Sequence, residues 1–170
     1  MPYLDEGNLR FIFSDDAQAE KYDAWEYYKN GMCKIESTKG VDFVIISPNN
    51  HLILIEVKDY RQQSRDKPGD LLDEFCIKIR DTLAGLRSAH LQATEIRERD
   101  FARNALNINR IEAILYIAST GNMHRLFPRK RESKDIGDQV RKKLKRIVPR
   151  TWVWEYQVST HEVFSVREIN

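Results

Sequence analysis

Two apolar runs joined by a short polar turn constrain the fold of this chain more than any other feature. The runs cover Val41–Ser47 and Leu52–Lys58, and Pro48-Asn49-Asn50 lie between them. Runs of this length, separated by a turn-rich break, are typical of a β-hairpin. A turn centred on Asn49 places Ile46 opposite Leu52, and each strand alternates its side chains between the two faces.

Two acidic residues and a lysine fall on one face of this predicted hairpin. The same register places Asp42 opposite Glu56, with Lys58 one pleat further along. Opposed like charges destabilise a sheet unless something neutralises them. Mg²⁺ or Mn²⁺ would do so, since such a cation is commonly held by one or two carboxylates together with water and phosphate. A surface ion cluster at a sheet edge is the alternative interpretation.

The rest of the chain reads as alternating helices and strands. A helix is predicted over residues 14–30, with Ser14 as N-cap and Gly31 just past its end. Apolar residues at spacings of three and four predict a long helix from about Asp70 towards Ala105, either continuous or with a break, after a polar loop. The other predicted elements are strands at Cys33–Ser37 and Ile111–Ala118, a loop at Gln62–Pro68, a helix at Lys134–Ile147, and a strand pair at Trp152–Val158 and Val163–Val166.

This order of elements predicts an α/β fold with a mixed central sheet flanked by helices. A C-terminal helix and strand pair would follow the central part. The length of 170 residues is typical of one domain, and no linker divides the chain. We therefore expect a single domain over residues 1–170, with a core at about 14–119 and a basic extension at about 124–170.

Charge is distributed unevenly along the chain. There are 28 basic and 26 acidic residues in total, yet residues 124–150 hold 11 Lys and Arg against 3 Asp and Glu. Such a segment predicts an anionic partner, bound through phosphates in a salt-dependent way. A solvated helix face is the alternative interpretation. The candidate nucleic-acid-binding residues are Arg125, Arg129, Lys130, Arg131, Arg141, Lys142, Lys145 and Arg146.

Composition also bears on location. The longest apolar stretch, Ala113–Ala118, is too short to span a bilayer, so no membrane partner is expected. Asp5 and Glu6 stand where a signal peptide would have basic and then apolar residues. Cys33 and Cys76 show no CxxC spacing, which favours a reducing compartment and argues against a zinc site. A cytoplasmic protein is therefore expected.

Asp42, a gap of 13 residues, and then Glu56-x-Lys58 resemble the signature of the PD-(D/E)XK nuclease superfamily. Val41 stands where that signature has a proline. The resemblance implies a restriction-endonuclease-like or junction-resolvase-like core, in the order αβββαβ. It further implies that Asp42 and Glu56 bind Mg²⁺ or Mn²⁺ with the carbonyl of Val57, and that Lys58 is the catalytic lysine. The implied activity is metal-dependent hydrolysis of phosphodiester bonds, by a DNA endonuclease.

Many members of that superfamily add an acid from the first helix. Glu20 lies at the edge of the apolar face of the predicted helix 14–30, so it is the candidate for this catalytic role, with Asp16 as the second choice. An ordinary solvated glutamate is the alternative.

Two further hypotheses remain open on the sequence alone. The chain could be a catalytically inactive nuclease-fold module that binds nucleic acid or protein, or a nuclease that is silent without its partner. DNA is favoured over RNA. A homodimer is compatible with the resemblance, since related nucleases often work as dimers on the two strands of a duplex.

Overall fold

The structure of the chain, a computed structural model, describes residues 1–61, 71–119, 133–155 and 161–169. Strands and helices alternate along these residues, with short 3-10 turns at Tyr22–Ala24 and Met32–Lys34. The strands are β1 (Tyr3–Glu6), β2 (Leu9–Phe13), β3 (Gln18–Lys21), β4 (Phe43–Ile46), β5 (His51–Asp59), β6 (Arg110–Ala118), β7 (Arg150–Glu155) and β8 (Phe164–Glu168). The helices are α1 (Glu26–Asn30), α2 (Leu71–Gln92), α3 (Ile96–Leu106) and α4 (Ser133–Leu144).

A five-stranded sheet in the order β3-β4-β5-β6-β7 forms the centre of the molecule. Its first three strands pair antiparallel and its last three parallel, so the predicted α/β class with a mixed sheet is confirmed. The predicted hairpin is also confirmed, because Ile46 pairs with Leu52 and Val44 with Leu54. The restriction-endonuclease-like order of elements is not confirmed.

The two faces of this sheet bury different partners. Val44 and Leu54 point to one face, where they pack with Phe75 and Ile79 of α2. A three-stranded sheet in the order β1-β2-β8 covers part of the other face, and the ring centroids of Phe11 and Phe43 lie 5.0 Å apart there. The period-two alternation of β4 and β5 therefore supplies both halves of the core.

The N-terminal part of the chain corrects two predictions. The helix predicted over residues 14–30 is wrong, because Gln18–Lys21 form the edge strand β3 and only Glu26–Asn30 are α-helical. Pairing with β4 satisfies the backbone groups of β3 that face it, which outweighs a modest local preference for helix. The strand predicted at Cys33–Ser37 is also wrong. A 3-10 turn occupies Met32–Lys34, and Ser37 has a φ of 65°.

The C-terminal strand pair is wrong as well. β7 pairs parallel with β6, whereas β8 pairs antiparallel with β2 in the small sheet. The long helical segment predicted from about Asp70 has the break that the sequence left open, since it forms two helices, α2 and α3, separated at residues 93–95. The predictions of the β6 strand and of α4 are confirmed, with α4 ending at Leu144.

The loop predicted at Gln62–Pro68 lies outside the described residues. Within the described part of the chain, no helix combines the length and the apolarity that crossing a bilayer requires. The single-domain organisation and the cytoplasmic location stay predictions.

Candidate functional site

The structure brings Asp42 and Glu56 together at one end of the hairpin. Asp42 lies directly before β4 and Glu56 lies near the end of β5, and their side chains are only 7% and 1% exposed. The backbone amide of Val57 donates a 2.6 Å hydrogen bond to Oδ2 of Asp42, which ties the two strands together beyond their last paired residues. Asp42 and Glu56 therefore lie on the same face of the hairpin, as the sequence predicts.

Two lysines neutralise Glu56. Nζ of Lys58 lies 2.8 Å from Oε1 of Glu56, and Nζ of Lys78, on α2, lies 2.7 Å from the same oxygen. Lys58 also reaches Oε1 of Glu74, at 3.2 Å. Burial disfavours the charged ammonium, but the two carboxylates outweigh it and raise the pKa of Lys58 above its ordinary value. Glu56 is therefore a buried carboxylate that is ion-paired with Lys58 and Lys78.

Three carboxylates converge beside this ion-paired group. Oxygen atoms of Glu6, Asp23 and Asp42 lie within 4.8 Å of one another. Burial, with the nearby charge of Glu56, raises the pKa of Asp42 to about 8, and burial also raises the pKa of Asp23. We call Glu6, Asp23, Asp42 and Glu56 the acidic pocket.

The donor set of this pocket fits a hard divalent cation, because carboxylate oxygens are the ligands that Mg²⁺ and Mn²⁺ prefer. Among the described residues, the three carboxylates close enough to share a cation are those of Asp42, Glu6 and Asp23, and not the predicted pair of Asp42 with Glu56. Glu56 binds two ammonium groups, and Glu6 binds one, since its Oε2 lies 2.7 Å from Nζ of Lys21. Glu6, Asp23 and Lys78 were missed at the level of sequence. The metal-binding and catalytic roles of Asp42, Glu56, Val57 and Lys58 stay predictions.

Glu20 lies apart from these acids. It is on β3, opposite Val44, and Oε2 of Glu20 lies 3.2 Å from Nη2 of Arg97 on α3. Burial raises the pKa of Glu20. The helix that placed this residue near the metal does not exist, so its proposed catalytic role loses the geometry on which it was based.

The basic segment is described only in part. Arg125, Arg129, Lys130 and Arg131 lie outside the described residues. Arg141 is half-buried and forms an ion pair with Asp138, one turn away on α4. Lys142 is on the exposed side of α4, whose buried side is formed by Ile136, Val140 and Leu144, and Lys145 and Arg146 are exposed in the turn after that helix. We call Lys142, Lys145 and Arg146 the basic face.

Comparison with known proteins gives one informative similarity. The chain is 30% identical, over 176 residues, to a cysteine–tRNA ligase of Neisseria meningitidis serogroup A / serotype 4A. The similar region covers 85% of this chain and 25% of the ligase, so the chain spans about a quarter of the length of that relative. No protein-family model matches the chain, and no solved structure matches it.

These comparisons correct the functional interpretation. The identification with the PD-(D/E)XK superfamily is wrong, and so is the nuclease function based on it, because the similarity is to part of a tRNA ligase and no nuclease family matches. The physical reason is the weakness of the motif. Any antiparallel hairpin with a three-residue turn brings residues at the spacing of Asp42 and Glu56 together, so this geometry does not specify phosphodiester hydrolysis. The chain is similar to part of an enzyme.

Proposed function

We propose that this chain is an RNA-binding domain and that transfer RNA is its partner. The similarity to a quarter of a cysteine–tRNA ligase carries the proposal, since that enzyme is named for its RNA substrate. The ligase is four times longer than the shared region, so the proposal concerns RNA binding and not the ligation reaction. The predicted partner class, nucleic acid, is retained, and RNA replaces DNA as the favoured member.

The basic face supports this proposal by its charge and position. Lys142 is on the exposed side of α4, and Lys145 and Arg146 follow in the turn after that helix. Contacts between such side chains and phosphates supply affinity without reading sequence. They also release counterions, so that binding weakens steeply as salt is added.

Direct binding measurements test the RNA proposal. We expect a transfer RNA transcript to bind more tightly than a DNA duplex of equal charge, measured by fluorescence anisotropy at several salt concentrations. Substituting Lys142, Lys145 and Arg146 together with alanine removes three cations. The affinity should then fall by more than tenfold, and the slope of log K against log salt should decrease in magnitude by about 2.

The control for that triple variant removes three cations elsewhere. Lys29, Lys34 and Arg87 are exposed residues outside the basic face, and their substitution with alanine should leave the affinity within about twofold. Equal losses in the two triple variants would contradict a role for the basic face. A wild-type protein that binds no RNA near physiological salt would contradict the proposed function itself.

We further propose that Mg²⁺ or Mn²⁺ binds at Glu6, Asp23 and Asp42. A bound cation would neutralise these carboxylates and could accept a phosphate oxygen of the RNA as a further ligand. A ligand that binds only the folded state raises its stability, so Mn²⁺ should raise the midpoint of thermal unfolding. Asp42→Asn should abolish this increase, and Glu36→Gln, at an exposed acid outside the pocket, should preserve it. An equal increase in both variants would place the cation elsewhere.

A further inference from the structure

Trp152 is unusually exposed for a tryptophan in a central sheet. It lies on β7, and 42% of its side chain is exposed. Strand alternation places Arg150 and Trp152 on the same face of the sheet, opposite the helices. Glu112 of β6 pairs with Arg150, and Arg110 precedes Glu112 by two residues on that strand. Arg110 and Arg150 therefore lie on the same sheet face as the indole ring, both towards the N-terminal ends of the parallel strands β6 and β7.

A hydrogen bond to a buried carboxylate fixes the orientation of the indole ring. Nε1 of Trp152 donates a hydrogen bond to Oε1 of Glu112. Glu112 is itself more than nine-tenths buried, so its carboxylate is a fixed acceptor. This bond orients the indole while part of its surface remains open to solvent. A preorganised ring loses less conformational entropy on binding than a mobile one, which favours its use in recognition.

The two arginines supply positive charge on the N-terminal side of Trp152 along the strands. Arg110 and Arg150 are both exposed, and Nη1 of Arg110 donates to Nε2 of His51 at 3.3 Å. Within the described residues Arg150 forms no ion pair. The carboxylate of Glu112 is already bound by the indole. Lys145 and Arg146 of the basic face precede β7 by only a few residues in the sequence.

We propose that Arg110, Arg150 and Trp152 bind an unpaired stretch of RNA, with a base stacked on the indole and phosphates on the guanidinium groups. The proposal rests on the RNA-binding function proposed above and assigns part of the RNA site. Aromatic rings interleaved with cations suit single strands, because every base offers a π face and every linkage offers a phosphate. A surface for an apolar protein segment would instead surround the ring with other apolar side chains.

A single-stranded RNA oligonucleotide of eight residues is the direct probe. Its binding should quench tryptophan fluorescence, and Trp152→Ala should weaken the affinity about tenfold and remove most of the quenching. Trp152→Phe keeps a ring without the indole N–H and should retain part of the affinity. Leu91→Ala removes an exposed apolar side chain of α2 and serves as the matched control, with unchanged affinity. Circular dichroism verifies that each variant is folded.

A second pair of measurements distinguishes the contribution of the arginines to binding from that of the indole ring. Substituting Arg110 and Arg150 with alanine should weaken binding and reduce the salt slope by about 1.4, whereas Trp152→Ala should leave the slope unchanged. Inorganic polyphosphate has no bases. The affinity of the protein for it should therefore fall when the arginines are substituted and stay unchanged in Trp152→Ala.

The outcomes distinguish this inference from the proposed function. If the wild-type protein binds neither transfer RNA nor the oligonucleotide, the proposed function fails. If it binds RNA and Trp152→Ala binds equally well, only the present inference is overturned. Self-association in solution that Trp152→Ala abolishes, without any change in RNA affinity, would assign the surface to a protein contact and overturn it too.

Discussion

Gly85 of α2 packs closely against Tyr22 in the N-terminal part of the chain. A Cβ atom at this position would lie 2.0 Å from Oη of Tyr22, a buried hydroxyl with no hydrogen-bond partner. We expect Gly85→Ala to lower the free energy of unfolding by about 3 kcal/mol, because a buried ring has no room to move away. Tyr22→Phe removes the obstructing oxygen, leaving the next ring atom 3.3 Å away. This second substitution should recover most of the loss.

Urea denaturation of the two single variants and the double variant measures this coupling as a double-mutant cycle. Gly137→Ala is the matched control, since the atoms nearest to its Cβ would be those of the Arg141 side chain, at 3.6 Å or more. That change should stabilise the protein by about 0.5–1 kcal/mol, as Gly to Ala does within a helix. Additive effects at Gly85 and Tyr22 would contradict the proposed contact.

His161 should make stability depend on pH. Burial lowers the pKa of its imidazole below the usual 6.5, outweighing the carboxylates of Glu112 and Glu162; His51 lowers it further. The unfolded chain therefore binds more protons than the folded one below about pH 6.5, and stability falls as pH falls. His161→Phe keeps an aromatic ring near Trp154 and removes the titration.

Unfolding free energies of wild type and His161→Phe, measured at about pH 7.5 and about pH 5.5, test this expectation. The wild type should lose more stability on acidification than the variant, since all other groups are shared. Equal losses would show that the imidazole has the same affinity for protons in both states.

Part of the acidic pocket is predictable from the sequence for a definite physical reason. Asp42, Glu56 and Lys58 lie on adjacent strands joined by a short turn, so local alternation determines their common face. Glu6 and Lys78 reach the same pocket from β1 and from α2, and their approach depends on tertiary packing. The spacing of residues along the sequence predicts the faces of single strands and helices, but not contacts between distant elements.

At the scale of elements, Glu98 connects two helices. Its carboxylate accepts hydrogen bonds from the amides of Glu26, at 2.7 Å, and Tyr27, at 3.0 Å, at the start of α1. These amides have no partner within a helix, and a negative charge there also suits the helix dipole. We expect Glu98→Ala to lower the free energy of unfolding by about 2 kcal/mol, because the cap is buried and bidentate.

Amide hydrogen exchange at the start of α1 tests this prediction locally. The amides of Glu26 and Tyr27 should exchange faster in Glu98→Ala, while amides of β5 change only with global stability. Glu95→Ala, at an exposed residue whose side chain makes no capping bond, is the control. Unchanged exchange at Glu26 and Tyr27 would contradict the capping role.

The elements differ in how far their sequences determine them. The hairpin β4–β5 was predictable because the apolar runs and the turn agree. The hairpin β1–β2 was missed, although Gly7-Asn8 is a two-residue turn signal and Leu9, Phe11 and Phe13 alternate as buried residues. β3 has only four residues, and its strand conformation comes from pairing with β4 rather than from its own pattern.

At the scale of the whole molecule, the central sheet has hydrophobic clusters on both faces. One cluster lies under the helices and includes Trp25, and the other lies under the small sheet and includes Phe11. Both clusters share the backbone of β4 and β5. If the chain is the single domain that its length predicts, damage to either cluster should therefore lower the stability of the other.

Phe11→Ala tests this cooperativity. The ring of Phe11 is fully buried, with centroids 5.4 Å from Tyr116 and 5.8 Å from Phe164, so its removal should cost about 3–5 kcal/mol. Ile12→Ala, on the opposite side of β2, should cost less, because that side chain is only partly buried.

The cooperativity measurement uses a protein that also carries Trp152→Phe and Trp154→Phe, so that fluorescence reports Trp25 alone. In one cooperative unit, the urea midpoints from Trp25 fluorescence and from circular dichroism decrease together. A Trp25 midpoint that stays constant while circular dichroism shows earlier loss of strand signal would divide the chain into two domains, with the small sheet as the weaker one.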